Sequence, residues 1–449
     1  MGKDVASQLA EFAAETTYRD IPPEVVAFAK NLTLKVIAGM LAGTAKPSGR
    51  KMARMIKDRM LPEEVGAIGC GFRTSLWEAT FLNAFNAHAS ELEDDRVIEG
   101  SSWDITVIPL MFSICEKLRL SGKSFMEALI VGMEIHARTC RFSTDHLGIM
   151  FVPGSVGPAM AAGRAMGLTE DQMKASIGLS MCNAPLSFAN FGTDAHYFES
   201  TLQCLQALMS AEMAKEGMFG NSDLGAFLTS FIGKDRVKPE RIVENLGKEW
   251  IFCETWIKKY PLCLLQHRYV DALLDLTREH KIKYEDVETI EAHINKGYEL
   301  CNRPEPKTER DLQFSFQHSL GTAMMEGDLG LNHLETDVIG DPRYDEAHAK
   351  VKLISHPEWP EGIDADAMTK IPARIIVKMK DGKELTKERW HFLGSPEEPL
   401  TMQQFEDLYF KFTQYVLTKE QIEKTKKAIL NIEDYSFASD IMDMLVFKR

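Results

Sequence analysis

The stretch Glu254–His267, ETWIKKYPLCLLQH, marks the point where the sequence changes from helical to strand-like patterns. Pro261 has no amide hydrogen and biases Tyr260 away from helix, so the chain is expected to turn here. Two lysines, a tyrosine, a thiol and a histidine therefore lie at a predicted domain junction, which is a common position for a ligand cleft. The alternative is a linker whose lysines are solvated.

The part of the chain before this turn has helical patterns. Pro23 can open a helix whose apolar residues recur at helical intervals. Ser75–His88 predicts a buried helix, and Thr169–Gln172 has the spacing of a capping box. The small residues of Gly148–Gly167 predict helices that pack at close approach. No strand-like alternation occurs before about residue 285, which predicts an essentially all-helical first half.

The part after the turn predicts a smaller α+β domain over residues 268–395. Val287–Asn295 alternates apolar and polar residues as a half-buried strand does, and Lys350–Ser355 is a second candidate strand. Asp381-Gly382 stands between two strand-like runs and predicts a hairpin. Helical patterns return after Pro399. The predicted fold class is mostly α with an α+β second domain, the helical domain comprising residues 1–267 and 396–449.

Composition limits the class of protein. The 449 residues carry a formal charge of −14, which argues against a nucleic-acid-binding surface. Eight cysteines without a CxxC pair form neither a disulfide framework nor a zinc signature. We find no signal-peptide pattern, P-loop, GxGxxG, HExxH or GxSxG motif. The sequence therefore predicts a soluble, reduced, cytoplasmic protein with no membrane partner.

Several short motifs resemble those of the MmgE/PrpD family, which includes 2-methylcitrate dehydratase, cis-aconitate decarboxylase and iminodisuccinate epimerase. They are spread over nearly the whole chain: Pro22–Lys30, Leu41-Ala42-Gly43, Asn86-Ala87-His88-Ala89, Gly167-Leu168, Lys258–Cys263 with His267, and Phe314-Ser315. The resemblance implies a helical domain with an α+β lid, usually in a homodimer.

The resemblance also implies a chemistry. Members of this family bind small di- or tricarboxylates and use acid–base catalysis without a metal or other cofactor, so the expected reaction is that of a cofactor-independent lyase, a dehydratase or decarboxylase. An epimerase or isomerase that exchanges a proton alpha to a carboxylate is the second hypothesis. A non-catalytic binding protein with the same fold is the third.

The resemblance places the candidate catalytic residues at Glu91, His196, His318 and Lys258. Glu91 replaces the family's aspartate, His196 replaces a lysine and His318 replaces a tyrosine, whereas Lys258 is unchanged. His196 lies in a predicted loop, Phe191–Ser200. These substitutions count against a standard methylcitrate dehydratase or cis-aconitate decarboxylase. They favour a substrate with fewer carboxylates or a larger apolar part.

Further residues are predicted to bind substrate or to support the site. Asp94 is a candidate orienting partner for Glu91; the others are Ser101, Trp103, Phe151, Tyr260 and His267. Trp103 and Phe151 would make one wall of the site apolar. Each candidate has a structural alternative: the acidic run Glu91–Asp95 is a solvated helix end, Lys258 is a surface lysine, and the histidines are structural.

Overall fold

The computed structural model describes residues 3–95, 102–142, 154–182, 190–361 and 365–447. The chain divides into two compact units. The first comprises Met1–Phe188, Asp194–Thr255 and Thr401–Arg449, and the second comprises Ala189–Thr193 and Trp256–Leu400. The long segment of the second unit begins at Trp256, ahead of the predicted boundary at residue 268, and it includes the Lys-Lys-Tyr-Pro turn.

The first unit is built mainly of helices. Its first ten are α1 (Val5–Glu15), α2 (Pro23–Ala45), α3 (Pro47–Lys57), α4 (Leu76–Ala89), α5 (Asp104–Leu118), α6 (Gly122–Thr139), α7 (Val156–Met166), α8 (Glu170–Ser180), α9 (Asp194–Lys215) and α10 (Leu224–Ile232). The expectation of an all-helical first half is wrong in one detail. Strands β1 (Val65–Ala67) and β2 (Phe72–Thr74) form a small antiparallel hairpin. Strands of three residues are too short to show an alternation of apolar and polar residues in the sequence.

Helix α4 is central to the first unit because it packs against α2, α5 and α9. The Ser75 hydroxyl caps its first turn by accepting from the Glu78 amide. A Cβ atom on Gly43 of α2 would lie 1.8 Å from the Asn86 carbonyl oxygen of α4, so only glycine permits this crossing. The Gly43 and Asn86 motifs found in the sequence are therefore two sides of one helix contact.

Helix α2 is long and apolar enough to span a membrane, but 78% of its most apolar window is buried inside the protein. Val36, Ile37 and Met40 are completely or almost completely covered by neighbouring helices. A core helix of a soluble protein has this pattern of burial.

The second unit combines a mixed sheet with short helices. Its elements are α11 (His267–His280), β3 (Val287–Ile294), α12 (Glu309–Gln313), α13 (Phe316–Glu326), α14 (Pro342–Ala349), β4 (Val351–Ser355), α15 (Ala365–Lys370), β5 (Ala373–Met379) and β6 (Glu384–Arg389). The strand order is β4-β3-β5-β6, with β4 parallel to β3 and the other pairs antiparallel. Helix α11 packs on β5 and β6, and α13 packs on β4.

The sequence signals for this unit are confirmed. Ile290, Ala292 and Ile294 of β3 are buried, as their alternation predicts. Gly382 has φ +88° between β5 and β6, where the Asp-Gly pair predicts a turn.

The chain then returns to the first unit through three helices: α16 (Met402–Thr413), α17 (Lys419–Leu430) and α18 (Ser439–Leu445). Helix α16 packs on α2. Thr418 and Gln421 form a capping box at the start of α17, and Thr169 and Gln172 form another at α8. The structure therefore confirms a helical domain interrupted by an α+β domain.

Candidate active site

Four buried side chains of the first unit form a cluster of metal-ligand type: His88, Glu91, Glu93 and His196. One nitrogen or oxygen atom from each lies within 4.8 Å of those of the other three. His88 lies in the last turn of α4, the two glutamates follow it, and His196 lies in the first turn of α9. The cluster brings together two predicted catalytic residues, Glu91 and His196.

The backbone after α4 explains how this cluster forms. The Glu91 amide donates to the His88 carbonyl at 2.9 Å, and Glu91 has φ +56°, which turns the chain back directly after the helix. Helix α9 packs against α4, and the His88 and His196 rings meet edge to face at 4.3 Å between centroids. The predicted loop at His196 is wrong, because α9 already begins at Asp194.

The hydrogen bonds of His88 define its orientation. Its Nδ1 lies 2.7 Å from the Ser200 hydroxyl oxygen, and that hydroxyl donates to the Tyr197 carbonyl at 3.2 Å. The other ring nitrogen of His88, Nε2, lies 3.9 Å from Glu93 Oε1.

Asp94 belongs to a buried charged group beside the cluster. Its carboxylate is ion-paired with Lys35, which also donates to the Leu92 carbonyl, and both side chains are fully buried. Asp104 accepts from the Asp94 amide at 3.0 Å. Burial, followed by the negative charge of Asp94, raises the pKa of Asp104 well above its usual value. The acidic run is therefore not a solvated helix end, because Glu91, Glu93 and Asp94 are all buried.

In the second unit, Lys258 is 1% exposed, so it is not a surface lysine. The neighbouring turn is held by Asp271, whose Oδ1 accepts from Lys259 Nζ and from the Tyr260 hydroxyl, each at 2.8 Å. Burial and the Asp271 charge raise the pKa of Tyr260 well above its usual value, so its hydroxyl stays protonated and donates. His267 packs between the rings of Tyr260 and Phe392.

His318, also in the second unit, is held by two hydrogen bonds. Its Nε2 donates to the His333 carbonyl at 2.7 Å, so its Nδ1 accepts, and His348 Nε2 lies 3.0 Å from that atom. Burial, together with a smaller effect of the nearby His348, lowers the pKa of His318 to about 3. This environment keeps the ring neutral and favours a structural role; its predicted catalytic role stays a prediction.

Among the predicted binding residues of the first unit, Trp103 is fully buried, and its indole donates to the Thr255 hydroxyl at 3.1 Å. Its ring meets that of His136 edge to face, so the side chain belongs to the core around the start of α5. Ser101 and Phe151 lie outside the described residues.

A cavity of about 380 Å³ in the first unit lies apart from the cluster residues. It is lined by Ser48, Lys51, Met52, Met55, Phe85, Asp194, Ala195 and Phe198. The Tyr197 ring meets the rings of Phe85, which lines the cavity, and of His88, which belongs to the cluster. No residue predicted to act in catalysis lines this cavity.

Sequence reasoning did not select His88, Glu93 or Ser200 as site residues. His88, Glu91 and Glu93 stand close together in the chain. Three side chains able to bind a metal in one short stretch could have indicated a site. His196 and Ser200 are four residues apart and share one face of α9. The contact between Ser200 and His88, 112 residues apart, needs the fold to be seen.

Comparisons with known proteins show which family the chain is similar to. The family model described as the MmgE/PrpD N-terminal domain matches residues 7–233, and that of the MmgE/PrpD C-terminal domain matches residues 260–434. A cis-aconitate decarboxylase-like protein of Aspergillus oryzae is 24% identical over 98% of this chain and 97% of its own length. The cis-aconitate decarboxylase of Aspergillus terreus is 23% identical over 98% and 96%. That of Mus musculus is 23% identical over 83% and 79%.

Proposed function

Because the chain belongs to the MmgE/PrpD family, we propose that it is a lyase that acts on a small carboxylic acid by acid–base chemistry. The similar proteins from two Aspergillus species and from mouse carry the names of decarboxylases or of a decarboxylase-like protein, which supports this class of reaction. Their identity of 23–24% leaves the substrate open.

One observation carries the choice of reacting groups. Glu91 and His196 come from different helical segments and meet in the buried cluster with His88 and Glu93. Imidazole and carboxylate groups can each accept or deliver a proton near neutral pH when burial and neighbouring charges adjust their pKa values. A pair of such groups in one place is the minimum that elimination or decarboxylation by acid–base chemistry requires.

The proposed reactions balance with these groups alone. In decarboxylation the bond to the leaving carboxylate breaks, CO2 departs, and the electron pair remains on carbon until a protonated group of the cluster delivers a proton. In dehydration a basic group removes the proton alpha to a carboxylate, and the hydroxyl leaves as water with a proton from an acid. Neither route needs an organic cofactor, and the proposal includes none.

Lys258 is proposed to hold a carboxylate of the substrate. In the resemblance to the family, Lys258 of the Lys-Lys-Tyr-Pro stretch is unchanged, and a lysine ammonium group donates charge-assisted hydrogen bonds to a carboxylate. The proposed substrate differs from methylcitrate and from cis-aconitate because Glu91, His196 and His318 stand where the resembling family has other residues.

NMR in deuterated water tests the proposal with a panel of di- and tricarboxylates, hydroxy acids and alkyl-substituted carboxylic acids. A lyase converts one of them into a product that has lost CO2 or water. An epimerase or isomerase instead exchanges the alpha proton for deuterium and keeps the carbon skeleton intact, which would overturn the lyase proposal. No turnover of any compound by the folded protein would favour the non-catalytic alternative.

A further inference from the structure

We propose that His88, Glu91, Glu93 and His196 bind one divalent transition-metal ion, such as zinc, in the first unit. This inference goes beyond the proposed lyase reaction: an ion held by Glu91 and His196 would occupy the groups proposed to carry protons, so acid–base turnover would belong to the metal-free protein. It rests on the donor set, the spacing of the donors, the contact of His88 with Ser200 and the burial of the two carboxylates.

The donor set is that of a transition-metal site. Two imidazoles and two carboxylates suit zinc, and also iron(II), cobalt(II) and manganese(II). Calcium and magnesium prefer oxygen ligands alone, so the two histidines discriminate against them. All four side chains are buried, and each is at most 4% exposed.

The spacing of the donor atoms is such that metal binding would require only side-chain movement. The four donor atoms lie within 4.8 Å of one another. Zinc bonds of about 2.0–2.1 Å in a tetrahedron would bring the donor atoms to about 3.3 Å from each other. The glutamate side chains each have three rotatable bonds and can close that difference, whereas the histidines are fixed on two packed helices, α4 and α9.

The orientation of His88 is that of a metal ligand with a supporting partner. Its Nδ1 lies 2.7 Å from the Ser200 hydroxyl oxygen and its Nε2 lies 3.9 Å from Glu93 Oε1, so a metal ion bound at Nε2 would leave Nδ1–H to donate to Ser200. Metal-binding histidines usually donate their other ring N–H to a neighbouring acceptor, which fixes the tautomer and the ring plane. Ser200 is thus a positioning residue, and its own hydrogen is used by the Tyr197 carbonyl.

The burial of the two carboxylates also suits a bound cation. Glu91 and Glu93 are 2% and 4% exposed. A divalent ion held by both would lie between two negative charges and away from bulk water. The competing explanation is that protein groups alone hold the four side chains together.

Metal binding to the full-length protein tests this proposal. The protein is treated with a chelator, loaded with zinc, freed of excess metal and analysed for metal content. We expect about one equivalent of zinc per chain. We also expect visible absorption bands from the cobalt(II)-loaded protein and a higher melting temperature with zinc. Replacement of His196 by Ala, and of Glu91 by Gln, should each weaken zinc binding by at least tenfold.

The control is His280→Ala, which removes an exposed histidine of α11 and should leave zinc binding unchanged. The measurements on the wild-type protein can overturn the proposal by themselves, so the test does not depend on whether the variants fold. Absence of retained zinc and of cobalt bands in folded wild-type protein would overturn the proposal and show that protein groups alone hold the cluster. Equal zinc retention by the wild type and a folded His196→Ala variant would assign the metal to other groups. Activity of the metal-free protein on a substrate would leave the lyase proposal intact and is measured separately.

Discussion

The Ser200 hydroxyl lies 2.7 Å from His88 Nδ1 and turns the other ring nitrogen of His88 toward Glu93. This contact links α9 to α4 and fixes the position of the His88 ring. A substitution of Ser200 therefore changes the support of His88 while all four donor groups remain in the protein.

Replacement of Ser200 by Ala should therefore weaken zinc binding about tenfold to a hundredfold, because His88 loses the acceptor that fixes its ring. Zinc affinity is measured by competition with a chromophoric chelator. Ser210→Ala is the matched control, since Ser210 is a buried serine of the same helix that donates to the Gln206 carbonyl. If both variants bind zinc as the wild type does, His88 is not positioned by Ser200.

Gly43→Ala should destabilise the first unit by about 1–3 kcal/mol or more, because the added methyl would lie 1.8 Å from the Asn86 carbonyl. Chemical denaturation measures the loss. Gly163→Ala serves for comparison, because its Cβ would meet only the end of the Leu168 side chain at 3.2 Å. Because alanine has a higher helix propensity than glycine, Gly163→Ala should stay close to wild-type stability. Equal stability of both variants would contradict the close crossing of α2 and α4.

Asp271→Asn should cost about 2–3 kcal/mol, because it removes the charge that accepts hydrogen bonds from Lys259 and Tyr260. Catalytic activity should fall as well, since these residues adjoin Lys258. Asp275→Asn, one turn further along α11, is the control. That side chain is partly exposed, and its ion pairs with Arg278 and Arg389 should contribute about 0.5 kcal/mol. A loss no larger than that of the control would show that Asp271 does not hold the turn.

The stability of the protein should decrease as the pH decreases, because His318 is buried in its neutral form. The pKa of His318 is about 3 in the folded state, below the usual 6.5. As the pH drops below 6.5 the unfolded chain takes up a proton first, so this group removes about 1.4 kcal/mol of stability per pH unit, until the folded state is protonated near pH 3.

His318→Gln tests this origin of the pH dependence. The free energy of unfolding of the variant should depend less steeply on pH between 6.5 and 5 than that of the wild type, even if the variant is less stable at pH 7. His280→Gln, at an exposed position, should keep the wild-type slope. Identical slopes for His318→Gln and the wild type would refute a neutral, buried His318.

Local signals in the sequence predicted much of the fold. The alternation in Val287–Ile294, the Asp-Gly turn and the two capping boxes depend on residues close in the chain, and each is found where the pattern places it. The hairpin of β1 and β2 was missed because each strand has only three residues.

The candidate site was less accessible to sequence reasoning because its contacts are long-range. The acidic run after α4 has the composition of a solvated helix end, yet it is buried because Lys35 of α2 supplies an opposite charge. His196 joins the run only because α9 packs on α4. The resemblance to a family placed Glu91 and His196 in one site, whereas their partners His88 and Glu93 emerged only from the fold.

We propose a lyase whose reacting groups include Glu91 and His196. Once a substrate is found, the most direct measurement is the turnover rate of the wild type, Glu91→Gln, His196→Ala and the control His280→Ala, with products identified by NMR and mass. We expect a product lighter by CO2 or water, a rate lower by about 10²–10⁴ in the first two variants, and a wild-type rate in the control. An unchanged carbon skeleton, or wild-type rates in both cluster variants, would contradict the proposal.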